Sequence, residues 1–327
     1  MLRLAKFKIS GKIFPLRVGR LAVLFSIAGL LLYTYYLLLA WPVGTGPAGP
    51  SVPKEPFTNV WSEREVVLLG LGDSMTKGYG ASRGKSFFDR LCSNPPDEFP
   101  DMQGICLERV LPKLKHYNIS ISGTNSIQHV TTQIPSIDPV PKEYFGIVVM
   151  TTGGNDLIHW YGRKPPSEGA MYGATLEQAK PWIANFEVRL HQMIDDIIQL
   201  FPGGCRIFLG TIYDPSDGGG SPRWAGMPPW KDATVILDAY NNIILQAEKK
   251  YTNVAVVDIH KAFLGHGVRC AQFWRPNYHS DDPHYWYYGN IEDPNERGYD
   301  AIRRLFLLKI LEVFGPSPSS VLAVPSS

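Results

Sequence analysis

Cysteine is scarce in this chain, and no two cysteines stand in a C-x-x-C. Only Cys92, Cys106, Cys205 and Cys270 occur among 327 residues. That spacing excludes a zinc ribbon and a thioredoxin-type redox site. Two readings stay open for the thiols. Cys92 and Cys106 bridge a Pro-rich loop in an oxidising compartment, or all four are reduced. Cys205, at the head of an apolar run, reads as a buried apolar residue. Acidic residues are absent from positions 1–20, which hold Arg3, Lys6, Lys8, Lys12, Arg17 and Arg20. Of the 32 Lys and Arg, 26 therefore belong to the rest of the chain, against 30 Asp and Glu. A body with an acidic surplus is not a nucleic-acid surface. No internal repeat is present.

Long apolar runs are also lacking, with one exception. Residues 21–41, LAVLFSIAGLLLYTYYLLLAW, carry no charge. As a helix they span roughly 31 Å, enough to cross the hydrocarbon layer. Tyr33, Tyr35, Tyr36 and Trp41 fall toward the far end, as an interfacial belt does. The basic segment 1–20 predicts a cytoplasmic N-terminus and an extracytoplasmic body. A cleaved signal peptide is the alternative. The run exceeds the usual signal core of about 7–15 residues, and no A-x-A site follows, so an uncleaved anchor is the reading adopted.

Residues 42–60 contain five prolines and three glycines and read as a linker rather than a packed element. The end of the chain, 315–327, reads as a flexible tail. Between them, 61–314 alternates apolar runs with helical patterns. The runs are 65–72, 117–123, 145–152, 205–212 and 253–259, each apolar on both faces, as strands covered on both sides are. Helical patterns are clearest over 175–200, 233–250 and 298–314. In the second, Val235, Ile236, Ala239, Ile243, Ile244 and Ala247 share one stripe. Alternation of this kind predicts an α/β fold, a three-layer α/β/α sandwich with a mainly parallel five-stranded sheet. Sites in such folds gather at the carboxyl ends of strands.

The segments at those ends carry chemistry. LLGLGDSMTKGYGAS opens with Gly70-Leu71-Gly72, but Met75 replaces the third glycine of a dinucleotide fingerprint. Lys77-Gly78 reverses the order of a phosphate loop. No nucleotide cofactor is implied. Ser74 instead reads as a nucleophile on a strand-to-helix turn, or, alone, as part of an Asp73/Ser74 helix cap. The next strand end, NISISGTNS, offers the unobstructed N–H of Gly123. The third, TTGGND, offers the Asn155 amide as a further oxyanion donor, or ordinary turn chemistry. Near the C-terminus, HSDDPH sets Asp281 three residues before His284, a spacing that lets a carboxylate fix the imidazole tautomer. Asp282 is a rival acid, and His260 a rival base.

LGDSMTKGYG, NISISGTNS, GGND and D-D-P-H, in that order, resemble the four blocks of the SGNH (GDSL) hydrolase family over about 65–305. The resemblance implies a flavodoxin-like sandwich and metal-free hydrolysis of carboxylic esters, including deacetylation. Its catalytic set maps onto Ser74, Asp281 and His284, with Ser74, Gly123 and Asn155 forming the oxyanion hole. The match has a gap. In many relatives Pro-Asn and Gly-Tyr follow the histidine at once. Here YWYYGNIED intervenes before Pro294-Asn295 and Gly298-Tyr299.

Aromatic residues crowd the expected mouth: Trp160, Tyr161, Tyr172, Trp224, Trp230, Trp274 and the run Tyr285-Trp286-Tyr287-Tyr288. Flat rings suit sugars or an acyl chain, or simply pack long loops. Gly218-Gly219-Gly220 reads as a loop hinge. The expected partners are the membrane and an ester of a small molecule, glycan or lipid, acylated envelope glycans foremost. Two other classes fit the same residues: an acyltransferase passing the acyl group to a sugar, and a tethered, non-catalytic glycan-binding module. The sequon Asn118-Ile119-Ser120 falls on a strand leading to the site and is a poor glycan acceptor.

Overall fold

The computed structural model of the chain describes residues 3–220 and 226–315. Five strands are present: β1 (Val66–Gly72), β2 (Leu114–Asn118), β3 (Phe145–Thr151), β4 (Cys205–Gly210) and β5 (Val254–Val257). All pair in parallel, in the order β2-β1-β3-β4-β5. The helices are α1 (Arg3–Leu38), α2 (Ser74–Lys77), α3 (Phe87–Cys92), α4 (Ser126–Gln128), α5 (Gly154–Ile158), α6 (Leu176–Leu200), α7 (Ala233–Lys250), α8 (Ile259–Phe263) and α9 (Glu296–Phe314).

The strands alternate their side chains between two apolar layers, so both faces of the sheet are dry. Leu68, Ile147 and Val149 face a core shared with α3 and α9, where Phe87 stacks on Phe306 at 5.0 Å. Leu69, Val148 and Leu209 face the core under α6 and α7. The α/β/α sandwich read from the sequence is the fold found. Two details differ. The second strand lies at Leu114–Asn118, ahead of the expected 117–123, and Lys115, His116 and Tyr117 on it are exposed. An edge strand has one neighbour only, and a lysine there guards its open side. Its tail still bonds β1, through Ile119 N–H to Gly70 O and Ile121 N–H to Gly72 O, both 3.0 Å. On α7 the buried stripe is turned by about one residue. Ile236, Leu237, Tyr240, Asn241, Ile244 and Ala247 are buried, while Val235 is exposed. Asn241 is tolerated there because its amide both accepts from and donates to the backbone of Ile212.

Leu21–Leu38, within α1, is long and apolar enough to cross a membrane. The following segment is not the loose spacer expected. Trp41 stacks on Tyr285 at 5.3 Å, and Pro42 O accepts the Tyr285 N–H. Arg297 donates to the carbonyls of Gly46 and Pro47, Arg304 to that of Pro50, and Ala48 N–H reaches the buried Asp300. Proline lacks a donor but keeps its acceptor, and buried arginines use it. The segment is a strap laid along α9. The four cysteines are free and buried, so the Cys92–Cys106 bridge does not form. The expected tail from 316 onward lies outside the described residues.

Candidate active site

Strand β1 ends on a glycine for a steric reason. Gly72 has φ +118°, and a Cβ there would lie 2.0 Å from Thr151 O. Gln133 clamps the same residue, accepting its N–H at 2.8 Å and donating to its carbonyl at 2.9 Å. The chain then turns through Asp73 into α2. Asp73 accepts the Met75 N–H at 3.2 Å and the Thr151 hydroxyl at 2.9 Å. Burial pushes the Asp73 carboxyl up to about 7; these two donors oppose the rise and the neighbouring Asp293 adds to it. Ser74 is the first residue of α2, half-buried at the floor of a cleft.

Asn155, on the first turn of α5, lines the same cleft. One of its amide hydrogens goes to Thr124 O at 2.8 Å, which fixes it beside the turn holding Gly123. Gly123 has φ +82°, and no atom stands within 4 Å of where its Cβ would be. Ser74 and Asn155 thus line one cleft, while Gly123 stands on the turn next to Thr124 and is not among the cleft-lining residues. Beneath them lies a second Ser/His/Asp constellation that the sequence reading missed. Ser126 donates to Asp156 and takes a bond from Arg189 Nε at 2.9 Å, while His129 lies between Thr124 and Thr152 at 2.9 and 2.8 Å. Ser126 and His129 are fully buried and make no bond to each other. Burial lowers the His129 pKa to about 4 and raises that of Asp156. This network braces the Thr124–Asn155 contact and has no opening for a substrate.

The expected Asp281–His284 pair does not form. Asp281 is exposed, and His284 Nδ1 lies 2.5 Å from Asp282. Asp282 also accepts both Arg297 guanidinium nitrogens at 3.0 Å and the Trp286 indole at 3.1 Å. Burial works to raise the Asp282 carboxyl, yet bonds from Arg297 and His284 hold it below its ordinary value. The imidazole packs where a Cβ on Gly44 of the strap would fall, and it does not line the cleft. Tyr287 bridges to Pro294, which sets His284 three residues, roughly 10 Å, farther along the extended chain. His260 is bonded to Asn241 at 2.7 Å. Among the described residues, no histidine lines the cleft.

A further buried carboxylate, Asp293, stands just before α9. It accepts the Asn290 amide at 2.7 Å. It is 3% exposed, and burial raises its pKa while the Asn290 bond opposes the rise. Asp293 stands directly before Pro294-Asn295, and Asn295 caps α9. The sequence signal for it was there. Pro-Asn and Gly-Tyr follow Asp293 with the spacing expected after the family's histidine.

The cleft above Ser74 holds about 1060 Å³, its open mouth included. Its walls are largely apolar, with Met75, Leu157, Ile212, Met227, Trp230 and Leu237 among them. Of the expected aromatic mouth, Tyr161, Tyr172 and Trp230 line the cleft. Tyr285, Trp286 and Tyr287 are core residues, whereas Trp160, Trp274 and Tyr288 are exposed. Trp224 lies outside the described residues, and no cluster suited to a metal occurs among them.

Residues 71–301 match the sequence profile of the GDSL-like Lipase/Acylhydrolase family. The chain belongs to that family. The GDSL-like fold and the serine at the end of β1 make it a hydrolase of ester bonds. Three solved structures are similar to it. A lipase from a goat rumen metagenome has 16% identity and TM-score 0.49, over 79% of this chain and 100% of its own. The acetylxylan esterase Axe2 from Geobacillus stearothermophilus has 18% identity and TM-score 0.48, over 78% and 98%. Phospholipase A1 from Streptomyces albidoflavus NA297 has 18% identity and TM-score 0.45, over 74% and 97%. No curated protein matches the chain in sequence.

Proposed function

We propose that this GDSL-like chain is a membrane-tethered serine esterase that removes an acyl chain longer than acetyl, from a lipid or an acylated envelope molecule. Ser74 is the nucleophile. The N–H groups of Ser74 and Gly123 and the free amide hydrogen of Asn155 receive the oxyanion. The observation that carries this reading is Ser74 at the floor of a cleft whose walls are mostly apolar. Each buried methylene contributes about 0.8 kcal/mol, so such walls favour longer acyl groups. The basic segment before the anchor supports an extracytoplasmic site. The strap supports a domain held close to the bilayer rather than on a free tether.

The test is hydrolysis of p-nitrophenyl acetate, butyrate and octanoate by the full chain in detergent, beside Ser74→Ala. Expected is a rise in kcat/KM of roughly tenfold from acetate to butyrate, with turnover lost by at least about 10³-fold in the variant. A preference for acetate would instead point to small-acyl substrates such as acetylated glycans. Turnover that survives in Ser74→Ala would remove the nucleophile.

A further inference from the structure

We propose that the loop 264–279 is a second membrane contact, whose tip Phe273-Trp274-Arg275-Pro276 enters the lipid interface beside the anchor helix. The inference goes beyond the esterase reading and does not depend on it. It rests on Leu21–Leu38 crossing the bilayer. Phe273 and Trp274 are 57% and 48% exposed, with ring centroids 5.0 Å apart. Among the described residues, Phe273 is the only exposed phenylalanine outside α1. A phenylalanine has no polar tip to justify a place in water. Neither ring lines the cleft over Ser74, so substrate does not explain them. Arg275 and Pro276 beside them are exposed too. Aromatic rings with an arginine are the composition of a membrane–water interface.

The fold puts this tip on the side that meets the bilayer. Trp41 follows Leu38, the end of the membrane-spanning stretch, within about 11 Å of chain at full extension. It stacks on Tyr285 at 5.3 Å, and Pro42 O accepts the Tyr285 N–H at 2.8 Å. The anchor therefore delivers the domain by the Tyr285 edge. The loop is built on the next residue. Trp286 donates its N–H to His266 O at 2.9 Å, and the two rings stack at 3.4 Å. His279 stacks on His266 at 4.6 Å and bonds Leu264 O at 2.9 Å, which closes the loop at its base. Inside it, Gln272 N–H bonds Arg269 O, Arg275 N–H bonds Gln272 O and Tyr278 N–H bonds Arg275 O, three turns that hold the tip in shape. Val268 and Cys270 root the loop in the apolar layer that also holds Ala48 and Val52 of the strap and Tyr285. Loop and strap thus share the α9 side of the sheet, while α6 covers the other. A tethered domain meets the bilayer at an effective concentration on the order of millimolar, so two rings suffice where binding from solution would need a larger face. Arg275 adds a cation at the depth of lipid phosphates. The contact fixes the tilt of the domain on the membrane.

The experiment uses the full chain in nanodiscs of phosphatidylcholine and phosphatidylglycerol, with and without lipid carrying a doxyl quencher high on its acyl chain. An environment-sensitive thiol dye is placed on Phe273→Cys, Trp274→Cys, Leu31→Cys or Val188→Cys. The native cysteines are buried and free, so the folded wild type should take no dye. Leu31→Cys, within the anchor, marks the bilayer, and Val188→Cys, exposed on α6, marks water. The two tip positions should be quenched at least about half as strongly as Leu31→Cys, the depth of an interfacial side chain. With Trp274→Asp and Arg275→Glu added, the dye at position 273 should lose most of its quenching at an unchanged thermal midpoint. Quenching at both tip positions no greater than at Val188→Cys overturns the proposal and leaves the anchor and the esterase readings standing. Quenching that survives Trp274→Asp with Arg275→Glu assigns the signal to the nearness of the strap and overturns it as well. An unquenched Leu31→Cys on a folded chain removes the anchor and this contact together.

Discussion

Asn290 donates its amide to Asp293 Oδ2 at 2.7 Å, and Asp293 stands two residues before the cap of the last helix. The helix start, the bridge from Tyr287 to Pro294 and the Asn290 amide all fix it there. Asp293 adds to the rise of a second buried carboxylate, Asp73, at the end of β1. Among the described residues, no lysine, arginine or histidine lines the cleft.

Asn155→Ala removes one oxyanion donor. Its kcat on p-nitrophenyl butyrate should fall by about 10²–10³-fold with little change in KM. Steady-state kinetics check this, and an unchanged kcat removes Asn155 from the hole.

Asp73→Asn should change the pH dependence of stability. The folded carboxyl is raised to about 7 from 3.8, so its contribution is fully present below the lower value and is lost as pH rises toward the upper. The variant should thus gain stability over wild type as pH goes from 4 to 8, by at most roughly 4 kcal/mol. Thermal midpoints in detergent across that range provide the check; a constant difference contradicts it.

Glu98→Ala should destabilise the domain by about 3–5 kcal/mol. Glu98 accepts both Arg303 guanidinium nitrogens, at 2.7 and 2.9 Å, and Arg303 is fully buried. Removing the acid leaves that charge short of partners, beside Arg90 and Arg304. Denaturant midpoints measure the loss.

Asp282→Ala should loosen the strap without touching the chemistry. Arg297 then loses the carboxylate that aims it at the carbonyls of Gly46 and Pro47. Limited proteolysis between residues 42 and 52 should quicken by about tenfold. An unaltered cleavage rate shows the strap is held without it.

Much of the fold was legible because a strand covered on both faces is a continuous apolar run, as in β1, β3 and β4. The edge strand β2 was misplaced because its exposed Lys115, His116 and Tyr117 carry no such run. That Ser74 and Asn155 share one cleft was legible because each stands within a few residues of a strand end. The partner of His284 was not, because Asp281 and Asp282 stand side by side and sequence spacing does not say which one turns to the imidazole. D-D-P-H has the right letters but is drawn to Arg297 and the strap. The strap itself was hidden because prolines read as a spacer, while their carbonyls are what Arg297 and Arg304 bind.

The most direct test of serine-dependent hydrolysis here is to label the full chain with a fluorophosphonate and map the adduct by peptide mass spectrometry. The account predicts one modified residue, Ser74, with Ser126 untouched. A label on Ser126, or none on a folded protein, would contradict it.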